Sequence, residues 1–263
     1  MSVLVMSNQK GGVGKTTTAI SLGAALVEQG QRVLIIDLDP QGNATSGLGV
    51  SKAPPNPVHG VLLKDQPVAQ SVTRTSLSGL DIVPSGPDMS GAEVELVPLM
   101  AREYRLREAL RRVSGYDTVI VDCPPSLGLL TVNALAAGDA VVIPVQCEYY
   151  ALEGLAQLLA TIEAVHDRLN RRLEILAIVL TMEDRRNRLS LQVIEEVRSH
   201  FPNLVTKVRI PRAVRLAEAP SHGVPISIYD RHSAAAEAYA DLARELTERL
   251  AARTPIALGG AIT

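Results

Sequence analysis

The sequence predicts an α/β protein built on a single doubly wound, mainly parallel β-sheet flanked by helices. Three observations predict it. Short apolar, β-branched runs alternate with helical patterns along the 263 residues, the order that yields a parallel sheet with crossover helices. The runs are apolar at nearly every position rather than every second one, as in strands covered on both faces. A glycine-rich turn joins the first run to the first helical stretch, which aims a helix N-terminus at an anion.

The elements follow in chain order. "VLVMSN" (3–8) reads as a strand. "TTTAISLGAALVEQG" (16–30) reads as a helix with Ala19, Leu22, Leu26 and Val27 on one face and Gly30 as its C-terminal stop. Further strands are expected at 31–39, 80–85, 116–125, 139–146, 173–182 and, as "TKVRIP", at 206–211. Helical patterns fill 103–113, 151–170, 189–201 and about 233–252. Residues 51–79 are the least regular part, and the Pro-rich "SKAPPNPVHG" (51–60) reads as a loop. The chain reads as one domain over 1–252 without internal repeats, followed by a flexible tail at 253–263.

Composition narrows the function classes. Apolar residues make up 46% and charged residues 21%, ordinary for a soluble globular protein. Trp is absent and Phe occurs once, so the core falls to Leu, Val, Ile and Ala. Cys123 and Cys147 form no C-x-x-C pair, which argues against a disulfide framework or zinc site and for a reducing cytosol. The five histidines show no metal spacing. No secretory signal pattern opens the chain, and no apolar run approaches the roughly 20 residues that span a bilayer. The tail lacks the basic amphipathic pattern of a membrane-surface helix. A cytoplasmic protein with no membrane partner is expected.

The candidate chemistry lies in "NQKGGVGKTTT" (8–18). A phosphate-binding loop follows G-x-x-x-x-G-K-[ST], but Gln9 stands where the first glycine belongs, and a second lysine, Lys10, precedes Gly11 and Gly12. Backbone N–H groups of Gly11, Gly12, Val13 and Gly14 and of the helix start suit a β-phosphate. Lys15 would sit on the β/γ oxygens, the Thr16 hydroxyl on Mg²⁺ and Thr17 on the α-phosphate. Asp122 ends the apolar run "VIVDCPP" and is the expected partner of Mg²⁺ through water. "LIIDLDPQGN" offers Asp37 and Asp39. Asp39 is the candidate for orienting the attacking water and Asp37 for approaching the metal, and both remain open.

These residues carry a resemblance. "NQKGGVGKTTT", "DLDPQGNATSGLG", "GAEVELVP", "DCPPSLGLLTVNAL", "PVQCEYYALEGL" and "IPRAVRLAEAPSHG" resemble the ParA/Soj-type partition ATPases. These belong to the MinD/ParA group of P-loop NTPases, whose loop deviates as K-G-G-x-G-K-T. The similarity covers almost the whole chain. It implies ATP and Mg²⁺ as cofactors, with Lys10, Lys15 and Asp39 catalytic. Lys10 looks like the lysine that crosses a nucleotide-sandwich homodimer to the partner's phosphates. Thr16, Asp39 and Asp122 form the metal side, Asp39 positioning the water. Glu148 is similar in position to a residue facing the partner's nucleotide, and Pro211 to part of the adenine pocket. Relatives commonly carry Asn two residues after that proline. Here Ala213 stands there, so a side-chain contact to adenine is lost while backbone contacts remain.

Net charge is −2, yet residues 185–215 carry eight Lys and Arg against Glu195 and Glu196, a local balance of +6 that leaves −8 elsewhere. Such asymmetry suits a local anion-binding surface. Arg186 and Arg215, then Arg185 and Arg188, are the candidates for sequence-independent, salt-sensitive contacts to double-stranded DNA. The resemblance adds DNA binding in the ATP dimer, nucleoid association and stimulation by a ParB-like centromere-binding partner. The first strand begins at residue 3, so no operator-reading helix-turn-helix is expected ahead of it. Three other readings stand beside this one: a MinD-type membrane-associated positioning ATPase, an iron–sulfur carrier and a nucleotide-gated scaffold.

Overall fold

The computed structural model describes residues 1–148, 151–184 and 186–252. The first half of the chain runs β1 (Ser2–Met6), α1 (Lys15–Glu28), β2 (Val33–Asp37), α2 (Asn43–Gly47), α3 (Val58–Leu63), α4 (Val68–Ser71), β3 (Thr73–Arg74), β4 (Leu80–Val83), α5 (Ala92–Leu96), α6 (Arg105–Leu110) and β5 (Thr118–Asp122). It continues with α7 (Leu129–Ala137), β6 (Ala140–Gln146), α8 (Ala151–Arg168), β7 (Glu174–Thr181), α9 (Arg188–His200), α10 (Val214–Glu218), α11 (Ile226–Tyr229) and α12 (Ala234–Ala251). The strands form a seven-stranded sheet in the order β3-β4-β2-β5-β1-β6-β7. Neighbours pair in parallel except β3 with β4.

Alternation along each strand builds two cores, one per face. Val3, Val5, Leu34, Ile36, Val119 and Val121 pack with α3, α5, α6, α7, α8 and α9. Leu4, Met6, Val33, Ile35 and Ile120 pack with α1 and α12. With apolar residues needed on both faces, the strand sequences show no polar alternation. Helix α1 runs to Glu28, and Gly30 (φ 88) takes the left-handed position after its cap, as its sequence predicts.

Two expectations are corrected. Residues 206–211 do not form a strand, because their pairing with β7 is interrupted. Ladder bonds form at Thr206 N–H to the Ile178 carbonyl and Ile210 N–H to the Leu180 carbonyl, both 2.9 Å. Between them, the Glu245 carboxylate of α12 accepts the N–H groups of Lys207 and Val208. Only the bridges Ile178–Val205 and Glu183–Pro211 remain. Residues 51–79 are more regular than their composition suggests, holding α3, α4 and β3. Leu62 and Val68 there are buried and anchor the segment to the core. The tail at 253–263 lies outside the described residues.

The turn after α2 touches the turn before α11 backbone to backbone. A Cβ placed on Gly223 would stand 2.7 Å from the Gly49 Cα, closer than real contacts permit. Gly223→Ala is expected to lower unfolding free energy by about 2 kcal/mol, checked by urea denaturation against Gly30→Ala. The latter has a similar positive φ but no neighbour within 4 Å, so an equal loss in the two variants would count against the contact.

Candidate nucleotide site

The site stands at the C-terminal ends of the central strands. β5 lies between β2 and β1, and Asp122 is in register with both Asp37 and Met6. The chain leaves β1 into the glycine loop and re-enters structure at Lys15, the first residue of α1. Gly12 (φ 76) and Gly14 (φ 91) supply the left-handed turns that fold the loop around an anion. Three bonds fix it. Asn8 donates its amide to the Pro144 carbonyl and accepts from Lys10 N–H, and the Thr181 hydroxyl donates to the Val13 carbonyl at 2.8 Å. Thr18 N–H reaches the Gly14 carbonyl at 2.8 Å and begins the helix. Gly11, Gly12, Gly14, Lys15, Thr16 and Thr17 line one side of a cavity of about 530 Å³, with Asp39, Gln41 and Pro125 on others.

The charges around this cavity are buried and unbalanced. Lys15 is 6% exposed, and its ammonium donates to the Lys10 carbonyl at 3.0 Å. Burial pulls its pKa down, opposed by Asp122, Cys123 and Asp39. The structure separates the two carboxylates that sequence left open. Asp37 accepts from Asp39 N–H on one oxygen and from the Thr45 N–H and hydroxyl on the other. It does not line the cavity, and burial raises its pKa to about 6 against the Thr45 bonds. Asp39 lines the cavity, with Gln41 N–H on one oxygen.

Asp122 is completely buried, and neither carboxylate oxygen makes a hydrogen bond of good geometry. Burial, then the neighbouring Asp37 charge, pushes its pKa well up; the Thr16 hydroxyl and Lys15 oppose. An orphaned buried carboxylate beside a threonine hydroxyl is an oxygen donor set suited to a hard divalent cation completed by phosphate and water. The Mg²⁺ expectation therefore fits these residues.

A second cavity of about 390 Å³ adjoins the first and shares Gly14, Thr17 and Met182 with it. Its walls include Ile210, Pro211, Ala213, Val214, Leu216 and Tyr239, an apolar lining suited to a base. Pro211 and Ala213, expected on the adenine side, are among these walls. Thr181, Met182 and Tyr239 were missed. Thr181 ends, and Met182 follows, a strand that looks merely apolar, and Tyr239 lies in an Ala-rich helix with no motif around it.

Lys10 does not line its own phosphate cavity. Its ammonium instead pairs with Glu148 at 3.2 Å on the exposed rim, and Gln146 donates to the other Glu148 oxygen. The basic segment is not a uniform strip. Arg209 is bound to the buried Glu183 at 2.6 Å. Arg215 stands 4.0 Å from Glu218 and 3.9 Å from Asp230 and lies over the Tyr229 ring. Arg186 and Arg188 are exposed at the start of α9, and Arg185 lies outside the described residues.

Asp37 and Asp122 carry a testable cost. A carboxyl whose folded pKa exceeds its unfolded value binds its proton better in the folded state. Its contribution therefore falls as pH rises: for Asp37 from about 4 to about 6. For nucleotide-free protein in EDTA, Asp122→Asn is expected to raise stability by roughly 1–2 kcal/mol at pH 7.5 and to flatten its decline with pH. Urea melts at pH 5 and 7.5 check this, and a variant less stable at both pH values contradicts it.

Comparison with known proteins agrees with this geometry. Residues 1–175 match a family model described as an AAA domain. The sporulation initiation inhibitor protein Soj of Bacillus subtilis is 55% identical over 93% of this chain and 97% of its own. The chromosome partitioning protein ParA of Caulobacter vibrioides is 53% identical over 95% of each. A solved structure of a cobyrinic acid a,c-diamide synthase from Mycobacterium smegmatis, with bound ADP and magnesium, superposes with TM-score 0.85. It is 40% identical and covers 97% of this chain and 98% of that one. With a deviant phosphate loop at the ends of the central strands, and relatives above 50% identity along nearly its whole length, the chain belongs to the ParA/Soj family of chromosome-partitioning ATPases.

Proposed function

We propose that this protein hydrolyses Mg²⁺-ATP within a nucleotide-sandwich homodimer that binds DNA without sequence preference and is stimulated by a ParB-like partner. The observation that carries the reading is the division of labour between the two loop lysines. Lys15 is buried in its own phosphate cavity, while Lys10 faces the exposed rim outside it. A cation paired outside its own phosphate cavity supports a role in a neighbour's site.

Within one site, the loop N–H groups and Lys15 hold the phosphates, and Thr17 stands beside the α-phosphate. Thr16 and Asp122 would hold Mg²⁺, whose charge would neutralise that of the phosphates. Asp39, fixed by Gln41 N–H, orients the attacking water. The partner's Lys10 adds positive charge where the γ-phosphoryl transition state spreads its own negative charge. Leaving Glu148 frees Lys10 for that role and frees Glu148 to meet the partner's nucleotide. ATP favours the dimer because it contacts two subunits there and one in the monomer.

DNA contact falls to Arg186 and Arg188, exposed at the start of α9, with Arg185 between Asp184 and Arg186 in sequence. Arg215 is a weaker candidate than sequence implies, since Glu218, Asp230 and Tyr229 already surround it. A membrane-positioned ATPase is the less favoured reading, because the C-terminal sequence at 253–263 lacks the basic amphipathic pattern of a membrane-surface helix.

The expected behaviour is a dimer in ATP and a monomer in ADP by light scattering, with Lys10→Ala monomeric in both. ATP-loaded Asp39→Ala, blocked in hydrolysis, is expected to shift random-sequence DNA. Arg186→Ala with Arg188→Ala is expected to weaken that binding uniformly and to flatten its salt dependence by about two units of log–log slope. ATP-loaded Asp39→Ala that ignored DNA at low salt would sink the DNA assignment while leaving the ATPase intact.

A further inference from the structure

Asp39 and Pro125 line the phosphate cavity from different loops, one after β2 and one after β5. The segment 85–93 runs between these loops. At its start the Ser85 hydroxyl donates to the Asp39 carbonyl at 2.7 Å. At its end Glu93, in the first turn of α5, accepts the Leu130 N–H of α7 at 3.3 Å. Helix α5 is itself held, with Ala92 and Leu96 completely buried and Glu95 paired with His59 of α3 at 3.2 Å.

The seat of the Glu93 carboxylate is specific. Helix α7 has no side-chain cap and no acid in its own first turn, so the free N–H groups at its positive end lack the usual local partner. Glu93 supplies one from another element. Gly128, the residue before α7, makes room for it: a Cβ there would overlap the carboxylate. The Gly128 φ of −79 is open to any residue, so the missing side chain serves the space and not the backbone. The loop from Asp122 to α7 is thereby held at both ends, by the β5 register on one side and by Glu93 on the other. Within it the Thr131 hydroxyl donates to the Ser126 carbonyl at 2.7 Å.

We propose that Glu93 is a positioning residue for ATP hydrolysis: seated on Gly128 and the start of α7, it holds the loop after Asp122 against the turn that carries Asp39. The proposal rests on reading the cleft as the ATP site. Glu93 lines neither cavity of the cleft, so it acts through the residues it holds. Nucleotide binding depends on the phosphate loop, which other contacts fix. The hydrolytic step needs the water-orienting acid and the loop after β5 aligned at once, and small misplacements there cost rate. Loss of Glu93 therefore lowers kcat and spares ATP affinity.

The test measures turnover at saturating Mg²⁺-ATP, ATP affinity by titration calorimetry and thermal midpoints for wild type, Glu93→Ala, Gly128→Ala, Glu95→Ala and Lys15→Ala. Glu93→Ala deletes the carboxylate, whereas Gly128→Ala keeps it and displaces it. Both are expected to lower kcat by roughly tenfold while the ATP dissociation constant moves by less than about twofold. Glu95→Ala loosens the other anchor of the same helix and is expected to keep wild-type turnover. Turnover retained in Glu93→Ala or in Gly128→Ala, even with a lower thermal midpoint, would reduce Glu93 to a cap of α7 and overturn the proposal. So would a loss in Glu95→Ala as large as in Glu93→Ala, or a fall in ATP affinity as large as the fall in kcat. Wild type that turns over ATP no faster than Lys15→Ala would instead overturn the reading of the cleft on which the proposal rests.

Discussion

The structure depends on an imbalance of buried charge. Three carboxylates, Asp37, Asp39 and Asp122, and one ammonium, Lys15, are held out of water at the ends of the central strands. Desolvation disfavours the charges of Asp37, Asp122 and Lys15, and a single lysine cannot compensate three acids. The raised pKa values of Asp37 and Asp122 are the response of the protein alone. A divalent cation held near Thr16 and Asp122 would be the other response, replacing protons with metal charge.

The sheet order creates this concentration of charge. β1 and β2, consecutive in sequence, are separated by β5 in space, so the loop after β1 and the acids ending β2 and β5 converge. The positions are set by register, with Asp37 and Asp122 side by side on neighbouring strands. Their hydrogen bonds then assign roles. Thr45 and Asp39 N–H occupy Asp37 and make it a structural acid that shapes the turn carrying Asp39. Asp122 has no such partners, and Asp39 faces the cavity. Thr45 extends the same network, accepting Ser85 N–H and so tying α2 to the end of β4.

Much of this was legible in the sequence, for identifiable reasons. The loop, the strand-end acids and the helix stop at Gly30 are local patterns, each specified by a few consecutive residues. The parallel sheet was legible because strands buried on both faces leave unbroken apolar runs. What escaped was set by contacts distant in sequence. The run at 206–211 has strand composition, but Glu245, nearly forty residues on, takes two of its N–H groups. Arg209 counts as a free cation in the sequence and is captured by Glu183 in the fold. Thr181 and Met182 look like the end of an apolar strand until β7 is placed against the phosphate loop.

The two departures of the loop from its common form, Gln9 for glycine and the added Lys10, fit a site completed by a second subunit. The most direct measurement mixes two inactive proteins. Lys10→Ala keeps its own Lys15 but offers no lysine to its partner, and Lys15→Ala does the reverse. In their heterodimer one site regains both lysines, so an equal mixture is expected to recover from about a quarter of wild-type ATP turnover under random pairing to about a half where only mixed dimers form, although each variant alone stays near background. Mixed dimers that form but hydrolyse no faster than the two variants measured separately would contradict the account, because Lys10 would then be acting within its own subunit.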